Sequence, residues 1–105
     1  MQVNGKEVDF KISRLEDASK FELALQHMQK TEKGIQECAK KGEPLSKIIK
    51  MTIDMFDSFF SEMGMKEVLD GCKDLEEAKG AYLEFLREIS KQKKSVLTFT
   101  LDDIK

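Results

Sequence analysis

The apolar positions of this chain change their spacing along its length, and each change marks an element. In residues 1–12 apolar and polar side chains alternate on both sides of Asn4-Gly5, a residue pair that favours a two-residue type I′ turn. Closing that turn places Val3 opposite Lys6, so that one face of the hairpin is apolar. This face consists of Met1, Val3, Val8, Phe10 and Ile12. A lone hairpin is marginally stable, so we expect this face to rest on helices.

After the hairpin, apolar residues recur every three or four positions, which is the period of an α-helix. This spacing predicts helical segments over residues 15–41, 44–63, 65–70 and 74–94. Gly42 is a favoured residue just beyond a helix C-terminus, and Pro44 suits a first helical turn. The predicted boundary between the first two helices therefore rests on local chemistry as well as on the period.

The tail, residues 96–105, has a different composition. Residues 96–101 are rich in β-branched and aromatic side chains, which favour an extended strand. Such a strand could add to the edge of the hairpin, in the same molecule or in a neighbouring one. The elements together predict a single mainly α domain over residues 1–105, of the α+β type. An N-terminal β-hairpin packs on a three- to four-helix bundle, with a C-terminal strand available beside it.

The helix predicted at 44–63 has an unusually wide apolar arc. Its apolar residues cover about 200° of the helical wheel, more than an ordinary surface helix needs. Four of the six methionines and three of the seven phenylalanines lie between Met51 and Met65. These two residue types can re-pack around varied apolar partners. The segment is therefore the candidate binding surface of the chain.

Met and Phe at helical spacing usually form core, and we expect this of the centre of the arc, Ile48, Ile49, Phe56 and Phe59. A chain of this length with a short hairpin has few elements to bury the whole arc. An exposed remainder is an interaction surface. We predict that the partner-binding residues are Met51, Met55, Phe60, Met63 and Met65.

Charge and composition limit the classes of partner that we expect this protein to bind. Lys+Arg is 18 and Asp+Glu is 20, and the signs are mixed along the chain, whereas a nucleic-acid binder usually has a strongly basic face. No apolar signal region follows Met1, and no apolar stretch approaches a membrane span. Cys38 and Cys72 stand alone, with no CxxC spacing and no second pair. A disulfide between them has no support in this spacing, and reduced thiols in a cytoplasm are the simpler interpretation. We expect a cytoplasmic protein without nucleic-acid or membrane partners.

Candidate catalytic residues are isolated. His27 is the only histidine, and no other residue has the spacing of a metal ligand or a triad partner. Asp54 and Asp57 share the polar face of their helix without further ligands. Cys72 has only Lys73 nearby to lower the pKa of its thiol. We therefore predict no catalytic residue, no metal site and no cofactor, and a protein that is not an enzyme.

In the order of its predicted elements, the chain resembles a family of small acidic proteins, the tail assembly chaperones. These proteins are encoded in the tail gene clusters of bacteriophages and prophages of Gram-positive bacteria. Six stretches carry the resemblance: Asn4-Gly5 with Val8-Asp9-Phe10, Leu45-Ser46-Lys47-Ile48-Ile49, Phe56-Asp57-Ser58-Phe59-Phe60, Gly64 with Val68-Leu69-Asp70-Gly71, Asp74-Leu75, and Tyr82-Leu83-Glu84-Phe85. They span nearly the whole chain.

The resemblance implies a non-enzymatic protein that binds the tape-measure protein, or another tail protein, in the bacterial host cell. The tape-measure protein is a long helical chain, and the chaperone keeps it soluble while tail tube subunits assemble. An adaptable Met/Phe surface suits an apolar helical client. The alternative is a structural or regulatory helical module that self-associates through the same surface or through the tail, as a homo-oligomer.

Overall fold

The computed structural model describes residues 1–104 and the side chains up to residue 98. It contains two short strands, three α-helices and one 3-10 helix. In chain order these are β1 (Gln2–Val3), β2 (Lys6–Glu7), α1 (Leu15–Lys40), α2 (Leu45–Glu62), the 3-10 helix (Lys66–Leu69) and α3 (Leu75–Ile104). The protein is therefore mainly α with a small N-terminal antiparallel sheet, as the sequence predicts.

The hairpin has the predicted turn and register. Asn4 and Gly5 both have positive φ angles, 53° and 74°, as a type I′ turn requires. Val3 lies opposite Lys6 in the antiparallel pair. The predicted apolar face is turned inward, and its centre is fully covered: Val3, Val8 and Phe10 are at most 3% exposed.

Asn4 also anchors the hairpin to the helices. Its side-chain nitrogen donates to the Val68 carbonyl oxygen at 2.9 Å and to a carboxylate oxygen of Glu77 at 3.1 Å. Its backbone N–H donates to the carboxylate of Glu84 at 2.6 Å. One turn residue thus fixes the hairpin on both the 3-10 helix and α3.

The second helix, α2, is the centre of the fold. α1, the 3-10 helix and α3 all pack on it. Phe56 of α2 contacts Tyr82 of α3, and Phe60 contacts Phe85, so the two helices run in the same direction. The chain between them returns along α2, and the 3-10 helix lies in this returning segment. The wide apolar arc of α2 is thus covered from more than one side.

An aromatic cluster forms the middle of the core. The Phe85 ring is 0% exposed and makes edge-to-face contacts with Phe10, Phe21, Phe59 and Phe60, at centroid distances of 5.4 to 5.9 Å. Such pairs add to the free energy gained from burial alone. Phe85 therefore joins the hairpin, α1, α2 and α3 at one point.

A glycine ends α1, as the sequence predicts, and a second glycine ends α2. Gly42 and Gly64 have φ angles of 76° and 79°, in the left-handed region that glycine adopts without strain. The N–H of Gly42 donates to the Ala39 carbonyl at 3.1 Å, and that of Gly64 donates to the Ser61 carbonyl at 3.0 Å. Because these signals are local, the observed bounds of α1, α2 and the 3-10 helix lie within one residue of the predicted ones.

The predicted C-terminal strand is wrong for the described residues, because α3 continues as helix to Ile104. Residue 105 lies outside the described residues. Between Gly80 and the end of α3 the sequence contains no Gly or Pro to stop the helix. Extending an existing helix adds one hydrogen bond for each residue ordered, whereas β1 offers an edge of only two residues. The modest β preference of residues 96–101 is therefore overruled.

Candidate functional site

Four of the five predicted partner-binding residues belong to the buried core, and three of them are almost completely covered. Phe60, Met63 and Met65 are 0%, 4% and 2% exposed. They belong to one hydrophobic cluster with Val68 and Leu69 of the 3-10 helix. The expectation that these three remain at a surface is wrong, because the segment after Gly64 folds back over this part of the α2 arc. The spacing of apolar residues does not predict that the chain turns back over α2 after Gly64.

The remaining two predicted residues, Met51 and Met55, are less deeply buried. Met51 is half-buried against the core. Met55 is 9% exposed, yet it lines an open furrow on the surface. Of the five predicted partner-binding residues, Met55 is the one that lines this furrow. Its role in binding stays a prediction.

The furrow runs between α1 and α3 above α2, and we call it the α1–α3 furrow. Its volume is about 420 Å³. Its lining consists of Met28, Glu32, Ile35 and Gln36 from α1, Thr52, Met55 and Phe56 from α2, and Leu75, Lys79 and Tyr82 from α3. Most of these residues are apolar, and the sequence pattern alone did not single out the α1 and α3 members.

Both α1 and α3 pack on α2, and they also contact each other through the rings of Phe21 and Phe85, 5.9 Å apart. Along α3 the furrow extends from Leu75 to Tyr82, which is about 10 Å at the rise of an α-helix. Met28 and Met55 enter it from adjoining helices. Glu32 on one wall and Lys79 on the other give it charged groups of both signs. The result is a short apolar trough with polar groups at its walls.

Tyr82 supplies a polar group at the apolar end of the furrow. Its ring packs on Phe56 and Phe59 at centroid distances of 5.1 and 5.2 Å. Burial raises the pKa of Tyr82, and the negative charge of Glu32 raises this pKa further. The phenol therefore remains a neutral donor and acceptor throughout the physiological pH range.

The pKa of Tyr82 can be measured directly, because it is the only tyrosine and the chain has no tryptophan. In an ultraviolet titration we expect phenolate to form above the ordinary tyrosine pKa of about 10. Glu32→Gln should lower the midpoint, and the exposed control Glu37→Gln should leave it unchanged. The folded state favours the phenol, so this contribution to stability is constant below pH about 10 and is lost as pH rises further. A wild-type titration midpoint at the ordinary tyrosine pKa of about 10 would contradict the burial of Tyr82.

A second groove, about 340 Å³ in volume, lies at the α1–α2 seam and shares Met28 and Met55 with the furrow. His27 and Glu62 line it, and the His27 Nδ1 is hydrogen-bonded to the Glu62 carboxylate. The His27 side chain is 47% exposed. Its hydrogen bond to Glu62 joins α1 to the end of α2.

The described residues offer no metal centre. None of their His, Cys, Asp and Glu side chains forms a cluster of three that could hold an ion. Asp54 pairs with Lys50 at 2.8 Å. Cys38 and Cys72 are both free thiols, and the Cys72 thiol donates to the Asp74 carbonyl at 3.3 Å. Among residues 1–104 no helix combines the length and apolar character needed to cross a membrane.

The comparison with known proteins identifies a family whose function is not known. No characterised protein and no solved structure matches the chain. A family model described as a family of unknown function matches residues 4–102, from the turn of the hairpin to near the end of α3. The match covers the α1–α3 furrow completely. The chain belongs to this family, DUF6673.

Proposed function

We propose that this protein is a non-enzymatic, tail assembly chaperone-like protein that binds a helical tape-measure client in the α1–α3 furrow. The observation that supports the proposal most is the furrow itself, an open apolar trough floored by α2. The resemblance of the sequence to tail assembly chaperones supports the choice of client. We place the protein in the cytoplasm of a bacterial host, where such a client is synthesised.

The dimensions of the furrow suit one helix face. A trough of about 10 Å accommodates about two helical turns. An amphipathic helix would insert apolar residues at positions i, i+3 or i+4, and i+7. Its polar face would remain in solvent between Glu32 and Lys79. The expected client segment is thus short, apolar on one side and helical.

Methionine makes the furrow tolerant of different client sequences. Met28 and Met55 are unbranched and can change rotamer to fit side chains of different shape. A tape-measure protein presents many similar but unequal helical segments, so one adaptable site can bind it repeatedly and weakly. Phe60, Met63 and Met65 contribute indirectly, because they hold α2 in place from the core.

The proposal predicts opposite outcomes for two matched substitutions, Leu75→Lys and Leu45→Lys. Each leucine is the first residue of its helix, but Leu75 lines the furrow and Leu45 is 74% exposed elsewhere. A lysine at position 75 would place a charge in the trough. In co-expression with a phage tape-measure protein, we expect Leu75→Lys to lose most of the co-purified soluble client and Leu45→Lys to retain it.

A second variant and two further measurements make this experiment decisive. Gln36→Trp fills the furrow from an exposed position of α1, so it should also block the client without disturbing the core. Thermal unfolding of each variant shows that it is folded. Tyr82 fluorescence should change when the client binds to the wild type. Equal client recovery with wild type, Leu75→Lys and Gln36→Trp would refute binding in the furrow. A client whose solubility does not depend on the wild-type protein would refute the chaperone role.

A further inference from the structure

The two walls of the α1–α3 furrow carry opposite charges. Glu32 is the charged lining residue of α1, and Lys79 is the charged lining residue of α3. Both residues are exposed. The floor that α2 supplies between them is uncharged, since it consists of Thr52, Met55 and Phe56. A ligand that fills the furrow therefore meets a negative group on one side and a positive group on the other.

Neither of these charges is neutralised within the protein. Among residues 1–98, Glu32 and Lys79 form no ion pair with each other or with another side chain. Their neighbours of opposite charge, Lys33 and Glu76, do not line the furrow. The charge of Glu32 also acts inside the furrow, since burial and, after it, this charge raise the pKa of Tyr82. Both walls are thus available to pair with charges of a ligand.

A helix that lies in the furrow presents one flank to each wall. With its apolar stripe on the α2 floor, one polar flank faces α1 and the other polar flank faces α3. Opposite charges attract and like charges repel across such a seam, as at the e and g positions of a coiled coil. The best-matched helix therefore carries Lys or Arg on the flank beside Glu32, and Asp or Glu on the flank beside Lys79.

We propose that Glu32 and Lys79 select client helices that have one basic and one acidic flank, and that they fix the direction in which such a helix lies. Turning a helix end to end exchanges its flanks, so only one direction pairs both walls with opposite charges. This inference rests on the proposed function, because it concerns the same furrow. It adds the charge pattern of the client. Exposed ion pairs add little affinity, so the apolar contacts hold the helix and the two charges set its specificity.

Three synthetic helical peptides test the charge pattern. Each has about 21 residues and the same leucine stripe at heptad positions a and d. Positions e and g carry Lys on one flank and Glu on the other in the mixed peptide, Glu on both flanks in the acidic peptide, and Lys on both flanks in the basic peptide. Positions e and g are not neighbours on a helix surface, so their charges do not pair within a peptide. In titration calorimetry at low salt, we expect the wild type to bind the mixed peptide at least about threefold more tightly than the other two.

Changing the walls should change which peptide binds best. Glu32→Lys makes both walls positive, so the acidic peptide should bind best, and Lys79→Glu makes both walls negative, so the basic peptide should bind best. Combining the two substitutions should restore the preference for the mixed peptide, now in the reverse direction. A nitroxide at the N-terminus of the mixed peptide reports this direction. Because Tyr82 lines one end of the furrow, its fluorescence should be quenched unequally in the wild type and the double variant.

Matched controls separate the walls from general charge effects. Glu37→Lys and Lys94→Glu make the same charge changes at exposed positions of α1 and α3 outside the furrow. Neither should change the ranking of the peptides. Equal affinities for the three peptides, or a ranking that Glu32→Lys and Lys79→Glu leave unchanged, would overturn this inference and leave binding in the furrow intact. If no peptide binds, or if Leu75→Lys does not weaken binding, this inference and the proposed function both fail.

Discussion

Replacing Phe85 with alanine is expected to reduce the free energy of unfolding by about 3–5 kcal/mol. The ring is fully buried and contacts four other phenylalanines from the hairpin, α1 and α2. The substitution removes this apolar surface and leaves a cavity at the one point where these elements meet. Domains of this size are stable by about 5–15 kcal/mol, so the loss is a large share of the total.

Urea denaturation followed by circular dichroism measures this loss. Leu83→Ala is the matched control, since Leu83 lies two residues away on α3 with 42% of its surface exposed. We expect the control to cost less than about 1 kcal/mol. Comparable costs for Phe85→Ala and Leu83→Ala would show that the aromatic cluster is not the centre of the core.

The second large effect is expected at Met65, where the sequence pattern predicts a binding surface and the structure shows core. Met65 is 2% exposed, and its N–H donates to the Phe60 carbonyl at 2.9 Å as the chain turns back after α2. Met65→Ala should therefore cost about 2–5 kcal/mol. Met51→Ala should cost clearly less, because Met51 is only half-buried.

Met51 lies within α2 and Met65 follows Gly64, so the comparison contrasts a half-buried methionine of the helix with a buried one of the returning segment. Both variants are measured by urea denaturation at one fixed protein concentration, because self-association would stabilise the folded state. A smaller cost at Met65 than at Met51 would mean that the segment after Gly64 does not pack on α2 as described. Met65 would then regain its place as a candidate contact for a partner.

The proposed binding surface was only partly predictable, for a physical reason. Periodicity identified α2 as the helix with too wide an apolar arc for one layer, and the structure does surround α2 with several elements. The pattern could not say which edge of the arc the returning segment would cover. It covers the edge with Phe60, Met63 and Met65 and leaves Met55 at the floor of the furrow. The furrow walls depend on how far α1 and α3 lie apart, which no local pattern encodes.

The sequence by itself determined the features that depend on neighbouring residues. The Asn4-Gly5 turn, the hairpin register, the glycine ends of α1 and α2, and the helical periods all follow from backbone preferences and spacing within a few positions. Tertiary structure decided the rest. The returning 3-10 segment selected which methionines are core, and the unbroken run of helical hydrogen bonds overruled the strand preference of residues 96–101. In the first case the outcome depends on packing against other elements, and in the second on the continuation of an existing helix. Residue type alone specifies neither.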